Sequence, residues 1–243
     1  MIFIRFMARP AGSSPQGCAL LTLIKHHFLF ALILFYPFCV HSYPKAWWEP
    51  FPKDKAASWE ILPQEAKEED NEVILSKRTE LGIFSNFANT PFDLDNTPYA
   101  SVEGLWQSLK YPDSDDPKDP RHALTWIYTR AAVRNLYGFE AKKAGNNTKE
   151  NYTKLGISWV SYKGRRMEYK GKDQAIHYRL IKRAILAKIL QNKNARDLLL
   201  QTGNLKLRPD HIQDKDVPPA YRYYDILMDI RTKLQRTAKK KRK

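Results

Sequence analysis

Three polar side chains in the middle of the chain have the types and the spacing of a catalytic face. Glu103, Gln107 and Lys110 lie four and three residues apart, so a helix would place them on one side. An apolar face lies beside them and consists of Val102, Leu105, Trp106 and Leu109. A carboxyl group at the margin of an apolar face is partly desolvated, which raises its pKa toward the range of general acid–base catalysis. Glu103 is therefore the candidate acid or base, and a solvated Glu–Gln–Lys face is the alternative interpretation.

Two helices are predicted to position these and one further cationic side chain. The first begins after Ser101, whose hydroxyl suits an N-cap, and is stopped by Tyr111-Pro112. The second runs from about Asp173 to Gln191 and carries Lys188 inside its apolar stripe. The Lys188 side chain either extends its amine to the surface or binds an anionic group of a ligand.

The remaining pattern predicts a single compact, mainly helical α+β domain over residues 72–236, with short strands near its start. Strands are predicted at 73–75, 81–87 and 92–94, followed by a turn at Asp95-Asn96. A strand–turn–strand unit is predicted around Lys163-Gly164. Further helices are predicted at 121–135, 139–145, 195–201 and 223–234.

Composition excludes several classes of protein. The chain has 243 residues, of which 43% are hydrophobic and 28% are charged, and its formal net charge is +15. These values are ordinary for a globular protein and exclude a disordered, collagen-like or disulfide-dense chain. Both cysteines lie in the first 42 residues, so a chain cleaved there has neither a thiol nucleophile nor a thiolate metal ligand.

The first 42 residues have the pattern of a secretory signal peptide. A basic flank, Lys25-His26-His27, precedes the apolar block Phe28 to Val40, and Ser42 follows at the predicted cleavage point. The block is shorter than the ~20 residues of a membrane-spanning helix, so no stable span is predicted. We expect a secreted or periplasmic protein; a retained anchor and a buried hydrophobic segment are the alternatives.

The two ends of the exported chain differ in composition from the domain. Residues 43–71 form a Pro- and Trp-rich arm, which Trp47, Trp48 and Trp59 are expected to fix onto the domain. Residues 237–243 form a basic tail, which suggests contact with nucleic acid or with an anionic surface.

Several common catalytic motifs are missing from the sequence. It contains no GxxxxGK[ST], no HExxH, no GxSxG and no GxGxxG after a strand. His122, His177 and His211 follow the predicted leader without metal-ligand spacing. We therefore predict that the protein uses no metal and no organic cofactor.

Four segments, in order, resemble the NADAR (YbiA-like) family over about residues 72 to 234. They are Gly82–Phe87 (GIFSNF), Pro91-Phe92 with Tyr99–Lys110 (YASVEGLWQSLK), Ala187–Asn192 (AKILQN) and Leu198–Asn204 (LLLQTGN). The resemblance implies a compact, mostly helical α+β fold and an N-glycoside hydrolase activity. Known members cleave the base–sugar bond of early riboflavin-pathway intermediates or remove ADP-ribose from guanine bases.

The resemblance also implies which residues form the site. Glu103 would be the catalytic carboxylate, acting on a small-molecule or nucleotide N-glycoside. It would stabilise the oxocarbenium-like charge on the sugar or activate water, and proton donation would help the base to depart. The implied substrate-binding residues are Ser85, Asn86, Phe87, Trp106, Gln107, Lys110, Lys188, Asp210 and Tyr221. Asn86 and Phe87 would orient and stack the base, and the two lysines would meet phosphate oxygens.

The chain departs from the family pattern at two positions. Tyr221 stands where many members have the tryptophan of an Asp-x-x-Trp-Gly segment, and Asn204 stands where they have an acid. The sequence leaves two alternatives to hydrolysis, which are a non-catalytic module that binds ADP-ribose or a nucleotide, and a basic nucleic-acid-binding protein.

Overall fold

The computed structural model describes residues 43–214 and 216–241. The predicted signal peptide, residues 1–42, lies outside the described residues. Among those that are described, we find no helix with both the length and the hydropathy needed to cross a bilayer.

Helices make up most of the regular structure. The α-helices are α1 (Val102–Ser108), α2 (Arg130–Arg134), α3 (Gly138–Asn146), α4 (Lys149–Leu155), α5 (Gln174–Gln191), α6 (Lys193–Gln201) and α7 (Tyr223–Lys241). The strands are β1 (Glu72–Ile74), β2 (Phe92–Leu94), β3 (Thr97–Tyr99), β4 (Val160–Tyr162), β5 (Arg165–Met167) and β6 (Lys206–Arg208). Short 3₁₀ helices occur at Lys45–Trp48, Lys53–Lys55, Pro63–Glu65, Glu80–Phe84, Pro120–Ala123 and Pro219–Tyr221. The predicted mainly helical α+β class is confirmed.

The strands form three two-stranded sheets in the described part of the chain. β2–β3 and β4–β5 are antiparallel hairpins. Their turns, Asp95-Asn96 and Lys163-Gly164, have positive φ at both residues, as two-residue hairpin turns require, so both predicted turns are confirmed. β1 pairs in parallel with β6, with Val73 opposite Leu207, which the sequence pattern did not predict.

The helix that carries Glu103 is fixed at its start as predicted. The Ser101 hydroxyl accepts a 2.8 Å hydrogen bond from the Gly104 N–H. α1 packs against α2, α3 and the long helix α5. The sequence also predicted α5, from about Asp173 to Gln191. Leu105 and Leu109 are fully buried in the main core. The face of α1 that carries the candidate residues is therefore held by core packing on its other side.

Two predicted elements are corrected. Residues 81–87 do not form a strand; the Glu80–Phe84 segment is 3₁₀ because Thr79 caps it and the Gly82 N–H donates to the Thr79 carbonyl. Residues 121–135 do not form one helix. Asp119 caps the short 3₁₀ turn at Pro120–Ala123, and Thr129 caps a separate helix, α2.

The last helix is longer than predicted. It extends to Lys241 rather than Leu234, because the lysine- and arginine-rich sequence favours helix and contains no breaker. Residues 237–241 of the predicted tail are therefore helical. The predicted contact of this tail with nucleic acid or an anionic surface stays a prediction.

The Trp-rich arm is attached through its first two tryptophans. Trp47 is fully buried, and its indole N–H donates to Glu80 Oε1 at 2.8 Å. The Trp48 indole N–H donates to the Glu72 carbonyl at 2.9 Å. Trp59 remains 43% exposed. The arm thus packs directly beside the β1–β6 pair.

Candidate functional site

The Glu103 carboxyl group is buried on the first turn of α1. Its side chain is 9% exposed, and its Oε1 accepts a 2.7 Å hydrogen bond from Gln107 Nε2. The Glu103 N–H donates to the Asn86 carbonyl at 2.9 Å, which joins the Ser85–Phe87 segment to the start of α1. Burial raises the pKa of Glu103, and the Gln107 hydrogen bond and the charges of Lys110 and Lys142 only partly oppose that rise.

Gln107 is held in place by a glycine of α3. A Cβ atom on Gly145 would lie 1.7 Å from Gln107 Oε1 and 2.2 Å from its Cδ. The amide of Gln107 thus occupies the space that a side chain on Gly145 would need. Only glycine at this position allows α3 to approach α1 so closely.

Replacing Gly145 by Ala is expected to displace Gln107 and break its hydrogen bond to Glu103. Because Gln107 is buried, we expect a loss of about 1–3 kcal/mol in the free energy of unfolding. Urea titration would measure it. The matched control is Gly171→Ala, whose Cβ would meet no atom closer than 3.4 Å. Equal stability of the two variants would contradict this packing argument.

The positive charges of Lys110 and Lys142 act on the Glu103 carboxyl group. Lys110 lies over the Trp106 ring, with its Nζ 5.4 Å from the ring centroid. Burial lowers the pKa of Lys110 to about 8, the Glu103 charge opposes that fall, and the nearby charges of Lys149 and Lys170 add to it. The charges near this buried acid are therefore mainly positive, which favours an anionic ligand.

An aromatic wall stands beside Glu103 on the Trp106 side of α1. Trp106 meets Tyr169 with ring centroids 4.9 Å apart and Tyr221 with centroids 6.2 Å apart, both edge-on. Its centroid is 4.6 Å from that of His177, which is 2% exposed. Burial, the neighbouring Tyr169 and the Glu103 charge raise the pKa of Tyr221, so this phenol stays protonated. Tyr221 therefore belongs to the aromatic cluster around Trp106, and the Glu103 charge acts on it.

Lys188 contacts the site from behind the Ser85–Phe87 segment. It is 1% exposed, and its Nζ donates a 2.7 Å hydrogen bond to the Ser85 carbonyl. Burial lowers the pKa of Lys188 to about 7. The sequence analysis offered two interpretations of Lys188, an amine that extends to the surface and an amine that binds an anionic group of a ligand. The bond to the Ser85 carbonyl corresponds to neither. The position suits a residue that holds the segment beside α1, because the amine bonds the backbone.

Asp210 belongs to a separate cluster that the Lys77 side chain connects to Phe87. Asp210 is 1% exposed and accepts hydrogen bonds from Lys77 at 2.5 Å and His211 at 3.0 Å. Burial alone would raise the pKa of Asp210, but these two bonds outweigh it and hold the pKa below its usual range. Lys77 Nζ also lies 5.9 Å from the Phe87 ring centroid. The hydrogen bonds of the Asp210 carboxylate are thus supplied by other side chains of the protein.

An open groove of about 320 Å³ runs along the outer side of the Ser85–Phe87 segment. Its lining includes Lys77, Ser85, Phe87 and Phe139. Phe139 is 62% exposed and meets Phe87 edge-to-face at 5.4 Å. The groove offers an exposed aromatic surface with an adjacent cation, which suits a planar ring attached to an anion.

Four buried side-chain atoms in the described part of the chain have no hydrogen-bond partner. They are Asn86 Oδ1, Thr90 Oγ1, Gln107 Oε1 and His177 Nε2. Three of the four belong to residues that contact Glu103 or Trp106. Because an unpaired buried polar atom costs free energy, each of these three atoms is a candidate for a hydrogen bond to a bound water or a ligand.

The predicted site residues therefore fall into two groups in the structure. The first group lies around Glu103, Lys188 bonds the Ser85 carbonyl from behind, and Ser85 and Phe87 line the adjacent groove. The first group consists of Asn86, Trp106, Gln107, Lys110 and Tyr221. Asp210 is not joined to Glu103 by any described contact. Sequence reasoning missed Tyr169, His177 and Lys77. No sequence signal marked Tyr169 or Lys77, and His177 was noted only as an isolated histidine.

Within residues 43–214 and 216–241, no group of three or more His, Cys, Asp or Glu side chains is arranged to hold a metal ion. The donors around Glu103 are instead amides, amines and aromatic rings.

Comparisons with known proteins give one structural neighbour. No protein-family model matches the chain, and no curated protein matches its sequence. The NMR structure of the E. coli protein YbiA aligns with 68% of this chain and 86% of its own, at 20% identity and a TM-score of 0.44.

Proposed function

We propose that this protein is a hydrolase that cleaves the N-glycosidic bond of a ribosyl or ADP-ribosyl conjugate, with Glu103 as its catalytic carboxylate. The observation that carries the proposal is the buried Glu103 carboxyl group. Gln107 and Asn86, which hydrogen-bond Glu103, and His177, which packs on Trp106, each carry a buried polar atom without a partner among the described residues. The order of the four family-like segments, including the one that contains Glu103, also supports it.

The environment of Glu103 suits this reaction. When the C1′–N bond breaks, its electron pair moves to the base nitrogen, positive charge develops on the sugar, and water adds to C1′. A carboxylate stabilises that charge or takes a proton from the water. A carboxyl group with a raised pKa also keeps a larger protonated fraction near neutral pH, so it can donate a proton to the departing base.

The charges around the site favour a substrate that carries phosphate. Lys110 is half-buried beside Trp106, and Lys142, Lys149 and Lys170 lie around it. Charged hydrogen bonds from ammonium groups to phosphate oxygens are stronger than neutral ones. Lys188 would act indirectly, by holding the segment that presents Asn86.

The predicted leader adds a location to the proposal. An exported enzyme would meet an ADP-ribosyl or other ribosyl N-glycoside outside the cytosol, in the periplasm or the medium. A cytosolic riboflavin intermediate fits such a location less well.

The function is tested by incubating the full chain with two substrate classes, ADP-ribosylated guanine nucleotides and ribosylaminopyrimidine phosphates. Chromatography follows the free base, and calorimetry measures binding of ADP-ribose. Base release from either class supports the hydrolase, and the preferred class identifies the branch of chemistry. Binding of ADP-ribose without any release supports the non-catalytic module. Neither release nor binding by the folded protein would refute both.

The affinity for ADP-ribose is expected to fall as the pH rises from 7 to 9. Lys110 loses its positive charge as the pH passes its lowered pKa of about 8, so its bond to phosphate weakens above that pH. We expect a loss of about tenfold. Calorimetry across this range would measure it. Lys110→Met should bind more weakly at pH 7 and should show a flatter profile; an unchanged profile would exclude Lys110 as the phosphate contact.

A further inference from the structure

Four aromatic side chains from different parts of the chain meet around Trp106, three residues after Glu103 on α1. Trp106 comes from α1, Tyr169 follows β5, His177 lies on the first turn of α5, and Tyr221 ends the 3₁₀ helix Pro219–Tyr221. The His177 centroid lies 5.6 Å from that of Tyr169 and 6.2 Å from that of Tyr221. Tyr169 and Tyr221 are half-buried, so they form the edge of the cluster that faces solvent.

His177 is the deepest of these side chains and is incompletely satisfied. It is 2% exposed, and its Nε2 has no hydrogen-bond partner among the described residues. Burial lowers the pKa of His177 to about 4, so the ring is neutral near pH 7. A neutral imidazole carries one donor and one acceptor nitrogen, and either one costs free energy when it is buried alone.

The neighbours of His177 explain its packing but not its chemistry. Three aromatic rings surround it, and the nearby cations, Lys110 and Lys170, lie over Trp106 and Tyr169 rather than over the imidazole. A phenylalanine would give the same apolar contacts without an unpaired nitrogen. Nε2 therefore needs a hydrogen-bonding partner from outside the described residues, which is either a bound water or an atom of a ligand.

We propose that His177 is a substrate-contacting residue of the Glu103 site, and that its Nε2 hydrogen-bonds the leaving base of the N-glycoside. The planar base would pack against Trp106 and Tyr221, where its ring atoms face Nε2, while the sugar lies toward Glu103. This inference rests on the proposed function and adds a residue that recognises the leaving base by a hydrogen bond.

The test separates contact with the base from contact with the sugar and phosphates. Glu103→Gln serves as the background, so that ligands bind without turnover, and His177→Phe and His177→Gln are added to it. Calorimetry then compares an ADP-ribosylated guanine nucleotide with ADP-ribose, which keeps its adenine but lacks the guanine leaving base. We expect His177→Phe to weaken binding of the conjugate about tenfold or more and to change ADP-ribose binding less than twofold. His177→Gln, which keeps a polar atom near the position of Nε2, should restore part of the loss.

A stability measurement provides a second readout that needs no ligand. If Nε2 is unpartnered in the free protein, His177→Phe should keep or raise the melting temperature. The control is His122→Phe at an exposed histidine, which should have little effect. A melting temperature clearly lower for His177→Phe than for His177→Gln, which keeps a polar atom near Nε2, would mean that Nε2 has a structural partner, and would overturn the proposal.

The outcomes also distinguish this inference from the proposed function. Base release by the parent with equal conjugate binding in His177→Phe would overturn the inference alone. Binding of the conjugate that depends on His177, without release by the parent, would support the inference and refute the hydrolase. Failure of both ligands to bind would overturn both.

Discussion

Replacement of Glu103 by Gln is expected to slow base release by at least about 100-fold. Proton transfer by a positioned carboxyl group typically contributes 10²- to 10⁴-fold, and an amide neither donates a proton to the base nor carries the negative charge that stabilises the sugar cation. The Gln side chain has nearly the same shape, so the hydrogen bond from Gln107 can persist. The measurement is the initial rate of free-base release on the preferred substrate.

The matched control is Glu69→Gln, at a glutamate whose side chain is 74% exposed. Its rate should equal that of the parent. Retention of more than about a tenth of the parent rate in Glu103→Gln would exclude Glu103 as the catalytic carboxylate. A loss in both variants would indicate a general effect on the preparation.

The same substitution is expected to raise stability near neutral pH, which shows that lost activity is not lost folding. Burial raises the pKa of Glu103 above its usual value of 4.5. Between 4.5 and the raised pKa the folded protein binds more protons than the unfolded chain, so the stability of the parent falls as the pH rises through this window. Glu103→Gln removes that cost. Its melting temperature should exceed that of the parent at pH 7, and the difference should vanish below pH 4.5.

Replacement of Arg121 by Met is expected to destabilise the protein by about 3–5 kcal/mol. Arg121 and Asp119 are both fully buried, and Arg121 Nη2 lies 2.6 Å from Asp119 Oδ2. Burial alone would raise the pKa of Asp119, but the hydrogen bonds from Arg121 outweigh it and lower the pKa. Without the guanidinium, a buried carboxylate loses its cation, which is far costlier than the net gain from forming the pair.

Arg121 also connects this ion pair to the candidate site. Its Nη1 donates a 2.9 Å hydrogen bond to the Leu109 carbonyl at the end of α1, and Nη2 donates to the Ser161 hydroxyl. Loss of Arg121 therefore leaves the end of the Glu103 helix without one of its caps.

Urea titration measures the effect of Arg121→Met, and Arg179→Met, at an exposed arginine of α5, is the control. The control should change the free energy of unfolding by less than about 0.5 kcal/mol. A loss below about 1 kcal/mol in Arg121→Met would contradict the interpretation of this buried pair.

Some predictions fail for a physical reason that the segments share. The stretch 81–87 is apolar enough for a strand. However, the backbone N–H groups of Leu81 and Gly82 donate to Thr79 within a local turn, so they do not pair with another strand. The stretch 121–135 has helical periodicity, but Arg121 is buried in an ion pair with Asp119. The chain then passes through a loop before Thr129, where α2 begins. Local capping and a buried ion pair override the hydrophobic pattern in these segments.

Local chemistry accounts for the parts that the sequence by itself determined. The Ser101 cap, the hairpin turns and the common face of Glu103, Gln107 and Lys110 depend on residues at most seven positions apart. Backbone sterics and helix geometry fix such relations without reference to the rest of the chain.

Only the tertiary structure decided which distant residues meet at the site. The aromatic cluster joins Trp106 to Tyr169, His177 and Tyr221, and the Lys188 amine reaches the Ser85 carbonyl across 103 positions. Gln107 fits against α3 because Gly145 lacks a side chain, and β1 pairs with β6 from the far end of the domain. Such contacts depend on how whole elements pack, and burial in that packing sets the charge states of Glu103 and His177. The spacing of residues along the chain specifies neither these contacts nor these charge states.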